Sequence, residues 1–282
     1  FSTKGQGWDG NDFSIARQLP NLFHGSEMSD VEPTQPLPAY SWLPEIEVMT
    51  ARDKRGSGEG FFVAAKGGHN QESHNHNDVG HFIVYVDGDP VIIDAGVGPY
   101  TGKTFSSERY TIWTMQSAYH SLPTINGVMQ DPGIDFAARD ASSTDDGQTA
   151  TFSLDIAGAY PDEAKLKMWN RTVALTRGQD VTVKDQYVLT EPASTIQFSL
   201  LTPCTVQVSE GRIVLGRRAL QGERSSGEAG IDYDPERMTV DVENRDLSDG
   251  KTQRYWGDQV SRILFTLVNP GESGDVELRI SR

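Results

Sequence analysis

The chain has 282 residues, with 25 Lys and Arg against 40 Asp and Glu, for a formal net charge of −15. That length can bury a large core, and the acidic balance argues against nucleic acid as a partner. No apolar run approaches the ~20 residues of a membrane helix, and 28 glycines with 14 prolines indicate a turn-rich folded protein.

Taken in order, residues 1–30 are mixed in character. Phe13–Phe23 reads as one or two helical turns ended by Pro20, with Asn11 or Asp12 as cap. Three prolines between Val31 and Tyr40 read as an extended linker. Residues 1–40 are therefore expected to be the tail of an N-terminal helical domain missing from this chain, plus the linker, and residues 41–282 the folded domain.

After Trp42 the apolar period becomes two, the mark of half-buried strands. Strands are expected at 46–52, 60–66, 81–86, 90–95, 121–128, 149–157, 166–175, 180–189, 195–201, 205–209, 212–215, 238–242, 262–267 and 275–280. Asp87-Gly88-Asp89 carries a hairpin-turn signal. No helical segments separate the strands to make βαβ units. The expected fold is all-β, a multi-stranded antiparallel β-sandwich of two or more stacked sheets with a short helical or irregular N-terminal segment. Lys103–Ser117 reads as an irregular or helical insertion, and Asp131–Gln148 and Gln221–Arg237 as long exposed loops. The lone cysteine, Cys204, sits in an apolar run and reads as a buried thiol.

The chemistry concentrates in Gly67–His81. Four of the six histidines (His69, His74, His76, His81) fall there, and His120 follows downstream. Histidine carries a proton or offers a metal lone pair near neutral pH. If the backbone is extended, His74 and His76 point to one side and share a metal or a substrate. Asp94 closes the apolar strand Val91-Ile-Ile-Asp-Ala-Gly96, where a carboxylate needs a partner. Two imidazoles, one carboxylate and an open position make a Zn²⁺ coordination set. Hydrogen-bonded rim histidines, with Asp94 capping a turn, are the plainer alternative. His81 alternates with Ile83 and Tyr85 on a strand face and reads as structural.

Three segments in this order resemble a known family: Gly67-Gly…His74-Asn-His76-Asn-Asp78-Val-Gly80-His-Phe, Ile92-Ile-Asp94-Ala-Gly96 and Trp113-x-x-x-Ser117-x-x-His120-Ser. They are similar to the C-terminal domain of the heparinase II/III-like polysaccharide lyases, as are Trp42–Met49 and the Arg171–Asp185 pattern. The likeness is good over roughly residues 41–200 and looser beyond. It implies an antiparallel β-sandwich that packs, in full-length members, against an N-terminal (α/α) toroid, with the active site between the two. It also implies zinc held by His76, Asp94 and His120, mainly as a structural clamp, with His74 facing the substrate cleft. A catalytic tyrosine is implied shortly before Trp113; Tyr110 is the nearest match, at a shorter spacing, and Tyr100 and Tyr119 compete with it.

The activity so implied is β-elimination on an acidic, uronic-acid-containing polysaccharide, a glycosaminoglycan or alginate. It requires neutralisation of the C6 carboxylate, removal of the C5 proton and protonation of O4, with His74 and Tyr110 chemically suited to the proton transfers. The resemblance places further catalytic groups on the toroid, so weak or no turnover is expected of this chain alone. It also implies a periplasmic or secreted setting, and leaves a homodimer open. Two other classes stay in view. One is a non-catalytic carbohydrate-binding sandwich with a structural metal. The other is a cupin-like metalloenzyme, whose pattern wants a glutamate where Gly80 and His81 stand.

Overall fold

The computed structural model describes residues 36–282, together with Leu19, Phe23 and Glu27, which are helical and exposed. The helical turn expected over Phe13–Phe23 and the first part of the linker otherwise lie outside the described residues. Two compact units, Phe1–Leu37 and Pro38–Arg282, divide the chain.

Strands run through the second unit in the order β1 (Tyr40–Leu43), β2 (Val48–Arg52), β3 (Phe61–Lys66), β4 (His69–Asn70), β5 (Phe82–Val86), β6 (Asp89–Ile92), β7 (Pro123–Ile125), β8 (Gly133–Ala137), β9 (Arg139–Asp145), β10 (Thr149–Asp155), β11 (Leu166–Thr176), β12 (Asp180–Leu189), β13 (Ile196–Thr202), β14 (Thr205–Ser209), β15 (Arg212–Gly216), β16 (Ala229–Asp232), β17 (Met238–Asp246), β18 (Gln259–Leu267) and β19 (Ser273–Ser281). A short helix, α1 (Gly250–Trp256), precedes β18, and four 3-10 turns fill Gly102–Tyr119, where an irregular insertion was expected.

The strands form an eight-stranded sheet (β14-β15-β16-β19-β12-β11-β10-β9), a five-stranded sheet (β1-β2-β3-β5-β6), a four-stranded sheet (β17-β18-β13-β7) and the small β4-β8 ladder. Pairing is antiparallel in every ladder. The fold is the all-β, stacked-sheet architecture that the period-two pattern implies. Alternate side chains face inward, as with Phe61, Val63 and Ala65 on β3 and Phe82, Val84 and Val86 on β5. The inner face of the large sheet meets both others. Trp42 of β1 lies 5.7 Å from Phe152 of β10, and Trp169 of β11 lies 5.5 Å from Phe198 of β13. One continuous apolar core results.

Local chemistry explains the tightest turn. Asp87 and Gly88 take positive φ values of 54° and 85° between the paired residues Val86 and Asp89, the two-residue hairpin turn that suits the twist of the flanking strands.

Three expectations need correction. The loops expected at Asp131–Gln148 and Gln221–Arg237 contain β8, β9 and β16. Strand β9 closes one edge of the large sheet and is mostly polar and exposed, so no apolar alternation marks it. The strand expected over 121–128 shrinks to β7 because Asn126 and Gly127, with φ of 52° and 79°, turn the chain back. Helix α1 was not anticipated, although its start is marked by Asp249, whose carboxylate accepts the Lys251 and Thr252 N–H groups.

At the centre of the large sheet, Arg171 and Asp185 sit directly opposite on β11 and β12. Both are buried, and the guanidinium donates to both carboxylate oxygens at 2.8 and 2.7 Å. Its remaining nitrogen donates to the Gly80 carbonyl (2.9 Å) and to the Ser121 carbonyl. Removing one member leaves the other charge buried and unpaired. Arg171→Met or Asp185→Leu should therefore each destabilise by about 3–5 kcal/mol. Arg212→Met, at the exposed Arg212–Asp232 pair, should cost no more than about 1 kcal/mol. Equal losses at the two sites in denaturant unfolding would refute this account.

Candidate metal centre and cleft

Gly67–His81 links β3 to β5 with little regular structure of its own, so its backbone groups must find other partners. Buried amide side chains supply them. Gln130 accepts the Val79 N–H (3.1 Å) and donates to the Val79 carbonyl (2.8 Å). Asn70 donates to the Gln130 Oε1 (3.1 Å) and accepts the Asp78 N–H (3.2 Å). Asn77 donates to the Gln130 carbonyl (3.0 Å). Arg109 directs Nε and Nη2 at the Asn75 carbonyl (3.0 and 2.7 Å) and Nη1 at the Thr104 carbonyl (2.9 Å). A satisfied polar network of this kind holds the loop in one shape.

Within that loop the two histidines diverge. His74 has φ of +60°, an uncommon conformation for a residue with a Cβ, so the extended backbone that would align His74 with His76 is not present. His74 is exposed, and its Nδ1 lies 3.2 Å from the Tyr100 hydroxyl. Tyr100 stacks on Phe105 (5.6 Å between rings), and Lys251 Nζ lies 5.1 Å from the Tyr100 ring centre. His76 turns inward instead.

Asp94 owes its place to a change of sheet. After β6 the Ile93 N–H leaves the five-stranded sheet and bonds to the Leu201 carbonyl of β13 (2.9 Å), so Asp94 follows at the junction. Its Oδ1 accepts the Gly96 N–H (2.5 Å). Its Oδ2 faces three imidazoles: His120 Nδ1 at 3.5 Å, His81 Nε2 at 3.8 Å and His76 Nδ1 at 3.9 Å. These separations are long for hydrogen bonds. His81 Nε2 and both ring nitrogens of His120 are buried with no hydrogen-bond partner, which is rare for such atoms.

Donors about 2.0–2.2 Å from a tetrahedral zinc stand about 3.3–3.6 Å from one another, so donors spaced this way fit a metal better than they fit each other. Asp78 belongs with them: single donor atoms of His76, Asp78, Asp94 and His120 all lie within 4.8 Å of one another. Asp78 also pairs with Lys66 Nζ at 2.7 Å. The electrostatics agree with this fit. Burial drives His76 below its ordinary range and His81 down to about 3. Burial pushes the Asp94 carboxyl upward, but the facing imidazoles and the Gly96 N–H outweigh it and hold it at about 2. Metal ligation requires neutral imidazoles and an ionised carboxylate.

A cleft of about 470 Å³ opens over this cluster, bordered by Lys66, His74, His76, Asp78, Asp94 and Tyr100. The structure thus gathers His76, Asp94 and His120, and sets His74 on the border of the same cleft. Tyr110 is engaged differently, its hydroxyl accepting from Asn75 Nδ2 at 3.1 Å. Tyr119 packs edge-on against Trp113 (5.2 Å), with the Arg245 and Arg262 guanidiniums over its ring. Sequence reasoning gave no role to Asp78, Gln130 or Arg109. Asp78 was within reach, two residues beyond His76, whereas nothing local marks Gln130 as a partner of Val79.

The family described as Heparinase II/III-like, C-terminal, matches residues 36–273. No curated protein matches the chain. Among solved structures, the heparan sulfate lyase HepC from Pedobacter heparinus is similar with a TM-score of 0.66 at 14% identity, covering 94% of this chain and 40% of that one. The heparinase III BT4657 gene product gives 0.66 at 13% identity, covering 94% and 40%. A further heparinase III structure gives 0.62 at 13%, covering 89% and 37%. These likenesses speak to the fold, and the chain spans about two fifths of the length of the structures it matches. The cupin alternative is set aside by the family match. With most of its length matched, this chain belongs to the heparinase II/III-like C-terminal family.

Proposed function

We propose that this chain is the β-sandwich part of a polysaccharide lyase that cleaves a uronic-acid-containing polysaccharide by β-elimination. Zinc is held by His76, Asp94 and His120, and His74 works in the cleft. The observation that carries this reading is the His74–Tyr100 pair, 3.2 Å apart on the border of a cleft that is also lined by His76, Asp78 and Asp94 of the donor cluster. Heparan sulfate, the polymer named for HepC, is the first substrate to try, with alginate the second.

In β-elimination the C5–H bond breaks, its electron pair forms the C4–C5 double bond, and the C4–O4 bond breaks as O4 gains a proton. An imidazole and a phenol in mutual contact provide two adjacent proton carriers for these transfers. Tyr100 is assigned the part first expected of Tyr110, because the Tyr110 hydroxyl is engaged by Asn75 while Tyr100 meets His74. Lys251 beside Tyr100 offers positive charge to an acidic saccharide in a strongly acidic chain. Bound zinc supplies a fixed positive charge that orders the loop bearing His74 and His76. The toroid implied by the resemblance completes the set of catalytic groups, and a periplasmic or extracellular setting suits a polymeric substrate. No described helix is long and apolar enough to cross a membrane.

Elemental analysis should find about one zinc per chain. Asp94→Ala should lose it, together with the stability that metal binding contributes. A wild-type chain without metal would return the cluster to unligated histidines.

In the metal-free chain, His76 and His81 resist protonation when folded and accept it when unfolded. Stability should therefore fall as pH drops below about 6.5, by on the order of 2 kcal/mol at pH 5 from His81 alone. Unfolding free energies that stay flat between about pH 7 and 5 in chelator would contradict the buried, neutral state.

With a toroid domain joined in cis, Tyr100→Phe should lower turnover by roughly 10²–10⁴-fold, read as ultraviolet absorbance of the new double bond. Tyr110→Phe should act mainly on stability, by about 1 kcal/mol. The reverse ranking would restore the catalytic part to Tyr110.

A further inference from the structure

We infer that His81 is a positioning residue for Asp94, turning its Nε2–H toward the carboxylate across 3.8 Å and taking no place among the metal ligands. This rests on the metal reading above and adds to it a residue outside the ligand set. The reasoning starts at the Ser121 amide, which as a backbone N–H can only donate. It donates to His81 Nδ1 at 2.9 Å. Nδ1 must then present its lone pair, and in a neutral ring the hydrogen sits on Nε2. A metal bound at Nε2 would need a lone pair there, and so a ring stripped of both protons. His81 is thus excluded as a ligand, although it faces the same oxygen as His76 and His120.

That Nε2–H points toward Asp94 Oδ2, 3.8 Å away, and has no other partner in a ring that is only 5% exposed. Asp94 Oδ1 already takes the Gly96 N–H at 2.5 Å. Gly96 and His81 therefore address opposite oxygens of one carboxylate, and the remaining open side of Oδ2 looks toward His76 and His120. A flipped ring would turn a carbon toward the Ser121 N–H and leave that buried donor unsatisfied. Ser121 cannot easily follow such a flip. Its hydroxyl donates to the Phe82 carbonyl (3.0 Å), and its own carbonyl accepts from Arg171.

Two substitutions separate positioning from mere filling. His81→Asn keeps an acceptor where Nδ1 meets the Ser121 N–H and removes the donor aimed at Asp94. His81→Gln places a donor near the Nε2 position. Zinc affinity is read by competition with a chromophoric chelator, and folding by the thermal midpoint of the zinc-free protein. His81→Asn should lose about 10–100-fold in zinc affinity with its zinc-free midpoint close to wild type, whereas His81→Gln should recover most of the affinity while its zinc-free midpoint falls, because the Ser121 N–H is left without an acceptor. A long-range proton–nitrogen spectrum of the wild-type chain should place the His81 hydrogen on Nε2. A hydrogen on Nδ1, or an unchanged affinity in His81→Asn, overturns the assignment while wild-type zinc binding stands. A wild-type chain that binds no zinc overturns the metal reading itself, and this assignment with it.

Discussion

The buried Arg171–Asp185 pair is the constraint on which the candidate site depends. Taking two charges out of water costs several kcal/mol per ion, and such pairs add little net stability over a well-packed apolar substitute. What the pair adds here is connection. Its two bonds to Asp185 lie within the large sheet, while its remaining nitrogen reaches out to the Gly80 and Ser121 carbonyls. Those carbonyls immediately precede His81 and follow His120, so one guanidinium ties both histidine segments to the most regular part of the fold. Gly80 itself fits no other residue well. Its φ is +88°, and a Cβ there would meet Ile156 Cγ2 at 2.6 Å.

The charge balance of the cleft gives the metal reading its electrostatic sense. Glu72, Asp78 and Asp94 stand on the cleft against Lys66, three carboxylates to one ammonium, in a chain already at −15. Such a surface repels an acidic polymer. A divalent cation among the donors would offset two of those charges at the place where a uronate must approach. On the proposed reading, zinc is therefore more than a clamp on the loop, because without it the cleft carries the wrong sign for its substrate.

Much of the fold was legible because burial on one face of a sheet writes a period of two into the residues, as on β3, β5 and β12. The pattern failed where that cause is absent. The edge strand β9 is polar and largely exposed, so it read as a loop, and β16 is too short to establish a period. The site divides in the same way. His76, Asp94 and His120 stood out by residue type, and the structure brings them together. Their supports did not, because Gln130 reaches Val79 across 51 positions and Arg171 reaches Gly80 across 91, and no local spacing encodes such pairings. His81 was read as structural and is buried in the fold, yet its orientation depends on an amide forty positions away.

The tyrosine question shows how conformation can override spacing. Counting from Trp113 leads to Tyr110, but that residue and its neighbour Arg109 both turn to Asn75, the residue between His74 and His76. Their bonds fall on the carbonyl and the side-chain amide of Asn75, directly after the left-handed turn at His74. A positive φ at a residue with a Cβ persists only where its surroundings enforce it. Here Arg109 and Tyr110 enforce it, which sends His74 outward to Tyr100 and leaves His76 inside with Asp94. The Arg-Tyr pair thus bears on the direction of both histidines at once, and the left-handed turn at His74 is what separates an imidazole exposed beside Tyr100 from one facing Asp94 only two residues away.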